Sequence, residues 1–507
     1  LALTGHRPDR REVPRVWRSP GRRARPVSSG CVFVESRLGS SATTHGESYE
    51  MRNALLVVMI AAAALVGCGA QEAGVQESGE TNEAATAGNP LLEAWDLPYG
   101  MPPFDRIEDA HFEPAMERAM AEEREEVAEI ASSSKAPTFE NTIVALEKSG
   151  ALLRRVTRVF GNLASADTNE TRRALQRELY PKLSEHRDAI LLDADLFARV
   201  EALYESREDL DLDTEDRRLL EKYHRDFVRA GAKLADEDKQ RLREINSRLA
   251  SLSTEFSQNV LEETNQSALV VDSAEELAGL SQSEIQAAAD EAKRRELEGK
   301  YVVTLQNTSG QPALASLENR DVRKRLHEAS LSRGSRGNEF DNRAIVAETV
   351  RLRAERAKLL GYETHADYVL EEQTAGSIEA VQDMLGKLAP AAVRKARQEA
   401  ADLQALIDET EDRPFELQPW DWAYYTDKLR ARRYDFDESR IRPYFEIDRV
   451  LEEGVFHAAT QLYGLSFRQR DDLPTYQPDV RVFEVLDHDG SSLALFMVDP
   501  YARASKR

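Results

Sequence analysis

Leu242-Arg-Glu-Ile-Asn-Ser-Arg-Leu-Ala-Ser-Leu-Ser-Thr-Glu-Phe-Ser-Gln-Asn-Val260 places Leu242, Ile245, Leu249, Leu252, Phe256 and Val260 at spacings of three and four. That spacing draws one apolar stripe along a long helix. The same period extends outward on both sides, from about Pro90 to about Arg413. A helix is predicted from near Thr138, with Ile143, Leu146, Leu153, Val156, Phe160 and Leu163 on one face. Asp213 or Thr214 can cap another, which buries Leu219, Leu220, Tyr223 and Phe227. A further helix over Ile345 to Leu360 stops at Gly361, a natural residue for the position just past a helix end. Tyr301 to Leu305 interrupts the pattern as a short strand, with a turn over 307–310. No repeat period recurs, which excludes a simple solenoid. The fold class is mainly α, irregular, with a small β-sheet.

The sheet is expected near the end of the chain. The aromatic run Trp420-Asp421-Trp422-Ala423-Tyr424-Tyr425 leads to Arg442-Pro443-Tyr444-Phe445 and a helical segment from Val450 to Tyr463. A hairpin follows: Arg481 to Leu486, a polar turn from Asp487 to Gly490, then Leu493 to Val498. Gly490 supplies the positive φ that such a turn needs.

Composition narrows the function. A formal charge of −23 sets most of the surface against a polyanion, so nucleic acid is not an expected partner. Charged residues at 31% and hydrophobic residues at 41% suit a helix-rich globular chain. The two cysteines, Cys31 and Cys68, cannot build a structural metal site, and no apolar run is long enough to span a bilayer as a permanent helix.

The first 89 residues read as three pieces. Residues 1–50 carry nine Arg and no Lys and show no apolar period; they are read as upstream translated sequence or a disordered arm, with Met51 the true start. Residues 51–67 read as a signal peptide, whose apolar stretch Ala54 to Val66 is too short for a transmembrane helix. The sequence Leu65-Val66-Gly67-Cys68 resembles a bacterial lipobox, which makes Cys68 the expected lipid attachment site. With Gly at 69, this resemblance implies anchoring in the cell envelope at the outer membrane, facing the periplasm. Residues 68–89 are small and polar and read as a tether.

A search for chemistry yields little from the residues alone. Of nine histidines, no two stand one turn apart with Glu after the first, as a zinc peptidase helix needs. His327-Glu328 begins that pattern, but Leu331 occupies the second ligand position. His224 and His457 fall within helical patterns and read as packed or surface side chains. Glu371-Glu372 and Asp471-Asp472 read as solvated faces or loops. The substrate-cleft candidates are His488 in the hairpin turn, Leu495 in the last strand and Tyr501 just beyond it, against the plainer reading of a turn residue and core sheet.

From Asn89 onward the chain resembles the thimet-oligopeptidase family of zinc metallopeptidases, in its bacterial peptidyl-dipeptidase branch. The stretches that carry this are Leu97-Pro-Tyr99, Pro103-Phe-Asp105, Pro137-Thr-Phe-Glu-Asn-Thr-Ile143 and Ala145 to Gly150. They continue with Ala230-Gly-Ala-Lys-Leu234, Gln311-Pro-Ala-Leu314, Gln418-Pro-Trp-Asp-Trp-Ala423, Tyr444-Phe445 and Gly454-Val-Phe456. Pro478-Asp-Val-Arg481 and Asp499-Pro-Tyr-Ala-Arg503 complete the set. The resemblance implies a two-lobed helical peptidase fold around a deep channel, short peptides as substrates, release of C-terminal dipeptides, a zinc cofactor and a monomer. The family's His-Glu-x-x-His helix and its third ligand come after the Asp-Pro-Tyr-Ala-Arg stretch, so no catalytic or metal residue is carried over. On this reading residues 90–300 form the N-terminal helical region and residues 301–507 the first part of the catalytic domain. The chain is then expected to be an inactive fragment of the enzyme, incomplete at the C-terminus. The alternative is a non-catalytic peptide-binding or scaffolding lipoprotein.

Overall fold

The computed structural model describes residues 88–306, 311–435 and 438–506. The readings made for residues 1–87, Cys68 among them, and for the turn at 307–310 lie outside the described residues. Asn89 already belongs to the fold: it is buried, its Nδ2 donates to the His111 carbonyl at 2.8 Å, and its Oδ1 accepts from the Leu91 N–H at 3.0 Å.

Helices dominate. Helix α1 (Phe112–Ala131) packs on α2 (Ala151–Ala166) and α3 (Glu170–Leu191) around Phe112, Met116, Val156, Phe160 and Leu179. The Phe112 and Phe160 rings lie 5.0 Å apart. A second core gathers Phe139, Ile143 and Leu146 with α4 (Ala194–Glu205) and α5 (Thr214–Ala230). Asp213 caps α5, accepting from the N–H groups of Glu215 and Asp216 at 2.9 Å, and Leu220 and Phe227 are its fully buried residues on that core.

The single helix expected from Thr138 to Leu163 is instead broken. A π-helical turn (Phe139–Val144) and a short helix (Ala145–Lys148) end at Gly150, whose φ of +66° is left-handed. The Gly150 N–H donates to the Glu126 carboxylate at 2.7 Å, and a Cβ there would meet the Glu123 carboxylate. The apolar period runs through the break, but its two halves face different cores.

Helix α6 (Asp236–Gln266) is the long helix, begun by three acids that suit its positive N-terminal end. Its Ile245 and Leu252 pack with Ile345 and Leu352 of a later helix, whereas Phe256 of the same stripe is exposed. Beyond it β1 (Leu269–Val271) pairs antiparallel with β2 (Tyr301–Val303), with α7 (Gln282–Arg294) between them. The expected strand at Tyr301 is therefore present and two residues shorter.

Helix α8 (Arg320–Leu331) covers that ribbon through Val322 and Leu326. Helix α9 (Arg343–Leu359) ends as predicted, with Gly361 at φ +84°. Helix α10 (His365–Leu370) precedes α11 (Ile378–Thr410), which buries Leu403, Leu406 and Ile407 against Tyr424 and Tyr425 of α12 (Trp422–Tyr434). Earlier on α11, Met384, Leu385, Leu388 and Val393 are exposed.

A π-helical turn (Val450–Phe456) runs into α13 (His457–Tyr463), and three strands follow: β3 (Ser466–Gln469), β4 (Arg481–Leu486) and β5 (Ser492–Val498). They form an antiparallel sheet in the order β3-β4-β5. Phe483 stands opposite Phe496, and an irregularity at Val485/Leu486 lets the strands turn through Gly490 at φ +81°. The expected mainly α fold with a small sheet is what the structure has.

Candidate functional site

The sheet is braced on both faces. On one, Leu495 and Met497 of β5 join Val482 and pack on Met101, Leu473, Leu97 and Phe104. On the other, Phe483 and Val498 pack with Leu451 and Phe456, and the Phe456 ring stacks on Phe467 at 4.0 Å. Strand order leaves the outer edge of β5 without a strand partner among the described residues. Along that edge Leu493, Phe496 and Tyr501 are 48%, 39% and 51% exposed. An open edge is a row of backbone donors and acceptors ready to pair with an extended chain.

Polar contacts fix both ends of β5. At its start, the Ser492 hydroxyl donates to Glu484 Oε1 at 2.5 Å and accepts from the Tyr99 hydroxyl at 2.9 Å. Glu484 also pairs with Arg468 and, at 3.1 Å, with Arg470. The hydrogen bond from Ser492, with those from the two arginines, holds the Glu484 carboxyl down at about 2.

Past its end, Asp499 accepts from Tyr476 at 2.9 Å, from Arg503 at 2.8 and 2.7 Å, and pairs with Lys506 at 3.1 Å. Burial pushes the Asp499 carboxyl up, but hydrogen bonds from Arg503, Tyr476 and Lys506 outweigh it and leave it at about 2. Arg503 also reaches the Ala166 carbonyl, and the Thr168 N–H donates to the Ser505 carbonyl at 2.8 Å. The Asp499-to-Arg503 stretch is thus the pin that fastens β5 to the end of α2.

The three sequence candidates do not converge. His488 is exposed in the turn before β5, with Nδ1 at 2.8 Å from Asp487 Oδ1, a pairing that raises its pKa. Tyr501 lies past the other end of the strand, about 20 Å away by strand rise. Leu495 packs inward on Met101 and Leu473, so the exposed apolar positions of the strand are Leu493 and Phe496. The Glu484–Ser492–Tyr99 link was not foreseen. Its one signal was an acid in the otherwise apolar run Val482 to Leu486.

Other candidates have settled partners. His224 stacks on Tyr204 at 3.7 Å, as a packed histidine should. His327 meets Trp420 edge-on at 6.4 Å. Glu371 and Glu372, read as solvated, are ion-pair partners of Arg229 and Arg225. Those arginines lie far off in sequence, so pairing could not be read from the chain. Among the described residues no three of His, Cys, Asp or Glu gather in a way that could hold a metal ion, so these residues do not fit a zinc site.

Comparison with known proteins gives a consistent result. Residues 313–507 match the model of a family described as Peptidase family M3. The chain is 43% identical over 421 residues to the dipeptidyl carboxypeptidase of Escherichia coli (strain K12), covering 83% of this chain and 62% of that protein. It is 32% identical over 424 residues to oligopeptidase A of the same organism, covering 83% and 61%. Against the thimet-like oligopeptidase of Dictyostelium discoideum the identity is 26% over 386 residues, covering 73% and 55%. The chain therefore spans about three fifths of the length of the first two relatives. Taken with the helical frame and its small sheet, these matches place residues 313–507 in peptidase family M3 and make the chain, over 83% of its length, similar to a dipeptidyl carboxypeptidase.

Proposed function

We propose that this chain serves a zinc-dependent peptidase that acts on short peptides and releases dipeptides from their free C-termini, with β5 as the strand that aligns the substrate. The observation that carries the reading is the unpaired edge of β5, flanked by exposed Leu493 and Phe496 and pinned at both ends. Pairing along that edge uses main-chain hydrogen bonds, which every peptide offers whatever its sequence. The family and the names of the relatives support the reaction class. Bound zinc would supply a water activated for attack. The described residues do not hold that metal, so no step of hydrolysis is assigned to them, and they are proposed to be inactive by themselves.

A chimera tests this. The chain is joined to the portion of E. coli dipeptidyl carboxypeptidase that it does not span, and ten-residue peptides are followed by mass spectrometry. The chimera should release C-terminal dipeptides from free peptides, not from amidated ones, and a zinc chelator should stop it. The 507-residue chain alone should bind these peptides without cleaving them. Cleavage of amidated peptides, or cleavage indifferent to chelation, would contradict the proposal. Peptide binding with no cleavage even by the chimera would favour a peptide-binding lipoprotein.

The lipobox-like Leu65 to Cys68 supports a second part of the proposal: lipid attachment at Cys68 and anchoring in the cell envelope. Expressed from Met51 in a Gram-negative host, the wild type should fractionate with membranes, and Cys68→Ala should leave them. Identical fractionation of the two would refute the anchor.

A further inference from the structure

Helices α3, α5, α6, α9 and α10 enclose a cleft of about 490 Å³, remote in sequence from the β5 edge. Its charges are not evenly matched. Lys222 pairs with Asp226, and Arg229 spends its terminal nitrogens on Tyr362, the Tyr368 carbonyl and the Glu371 carboxylate. Glu372, also in the lining, pairs with Arg225 at 2.7 Å and with Arg229 at 3.6 Å, which leaves Arg356, Arg187 and one further acid, Asp188. Asp188 is buried, and the Asn246 amide holds both of its oxygens, at 3.0 and 2.9 Å. Arg243 adds its field at Asp188, and Arg353 adds its own at Arg356.

Arg356 is the anomaly. Its guanidinium donates one long hydrogen bond, from Nη1 to Asn246 Oδ1 at 3.3 Å, and its buried Nε has no partner. Buried Arg199 and Arg323 share an unpartnered Nε, but each spends its terminal nitrogens on three or more oxygens. Arg187 and Arg243 make no hydrogen bond or ion pair among the described residues. A guanidinium taken largely out of water with most of its donors unused is costly unless something accepts from it. In a chain of net charge −23, a pocket with surplus positive charge is a local inversion. The planar fork of arginine matches carboxylate and phosphate oxygens.

We propose that this cleft binds a small oxyanion, a phosphate or a carboxylate, seated on Arg356 with Arg187 at its mouth and the Tyr368 ring beside it. The Arg356 Cζ lies 5.4 Å from the centre of that ring. Asn246 stands between Asp188 and Arg356, so the acid occupies neither the free Nε nor the second terminal nitrogen. This inference stands apart from the peptidase reading, and its test involves no cleavage.

The test is titration calorimetry on the full chain with inorganic phosphate, and separately with an acetylated dipeptide bearing a free or an amidated C-terminus. One saturable site is expected. Arg356→Gln should weaken it about tenfold, the scale of a lost charge-assisted hydrogen bond. Arg187→Gln, at an exposed position, should weaken it about threefold without touching the packing. Arg217→Gln, elsewhere on α5, should leave it unchanged. Binding of phosphate identifies a free oxyanion, and binding only of the free-carboxylate dipeptide identifies a peptide terminus; either supports the site. Absence of saturable binding to both, or binding unchanged in both the Arg356 and Arg187 variants, overturns it.

Discussion

Asp499 sits where the chain leaves the sheet, held by Tyr476, Arg503 and Lys506. Its carboxyl titrates at about 2 in the fold, against a usual value near 3.9 in an unfolded chain. A depressed carboxylate stabilises the fold above its unfolded pKa, so this contribution is complete above about pH 4 and fades as the pH falls toward 2. Asp499→Asn should therefore lower the urea midpoint at pH 7 and flatten its decline between about pH 4 and pH 2. An unchanged acid limb would show that the pin does not couple to folding. The same pattern recurs at Asp421, which is fully buried and paired with Arg323 at 3.0 Å and with Arg320 at 2.8 Å. It recurs again at Thr138 and Asn141, which cap each other's backbone while Asn141 accepts from Arg199. These residues lie in stretches that carry the family resemblance. Their types were legible in the sequence, but their partners were not. Asp421 and Arg323 are 98 positions apart, and only the fold brings them together.

At the scale of elements, local period was a good guide where one surface covers a whole helix. Helix α5 has the expected cap at Asp213 and α9 the expected left-handed Gly361 past its end, while the left-handed Gly231 that closes α5 was not foreseen. At Gly150 the guide failed, because a glycine inside an apolar period reads as a weak helix residue until its φ is known. Phe256 departed from its stripe because the buried face of α6 moves around the helix, to Thr254, Leu261 and Glu263 in its second half. Gly231 offers a direct check. At φ +102° a Cβ would stand 2.7 Å from Leu242 Cδ2, in the packing between α5 and α6. Left-handed backbone alone costs about 1–2 kcal/mol for a residue with a Cβ, and the contact adds to it. Gly231→Ala should lower unfolding free energy by at least that much in denaturant titration. A change below about 0.5 kcal/mol would mean that the α5–α6 junction yields freely. The hairpin was legible to within a residue at each strand end, since alternation and a turn glycine are local signals. The third strand, β3, was not legible, because nothing in the sequence marked it as a strand.

For the whole molecule, the family and the helical architecture were legible, and the assignment of charge to place was not. A net charge of −23 says nothing of a cleft where Arg356 has a single acceptor, since that cleft is assembled from five helices spread over residues 184–372. Nor could single residues locate a substrate path: His488, Leu495 and Tyr501 prove to be a turn, a packed side chain and a strand exit. What the described residues offer is a braced sheet whose β5 edge is free of a strand partner and flanked by exposed apolar side chains. Amide hydrogen exchange along Ser492–Val498, with and without a short unstructured peptide, tests that offer most directly. Pairing would slow alternate amides of β5, those facing outward, by about tenfold or more at saturating peptide, and leave the inward amides unchanged. Peptide binding with every β5 amide exchanging as before would contradict the account.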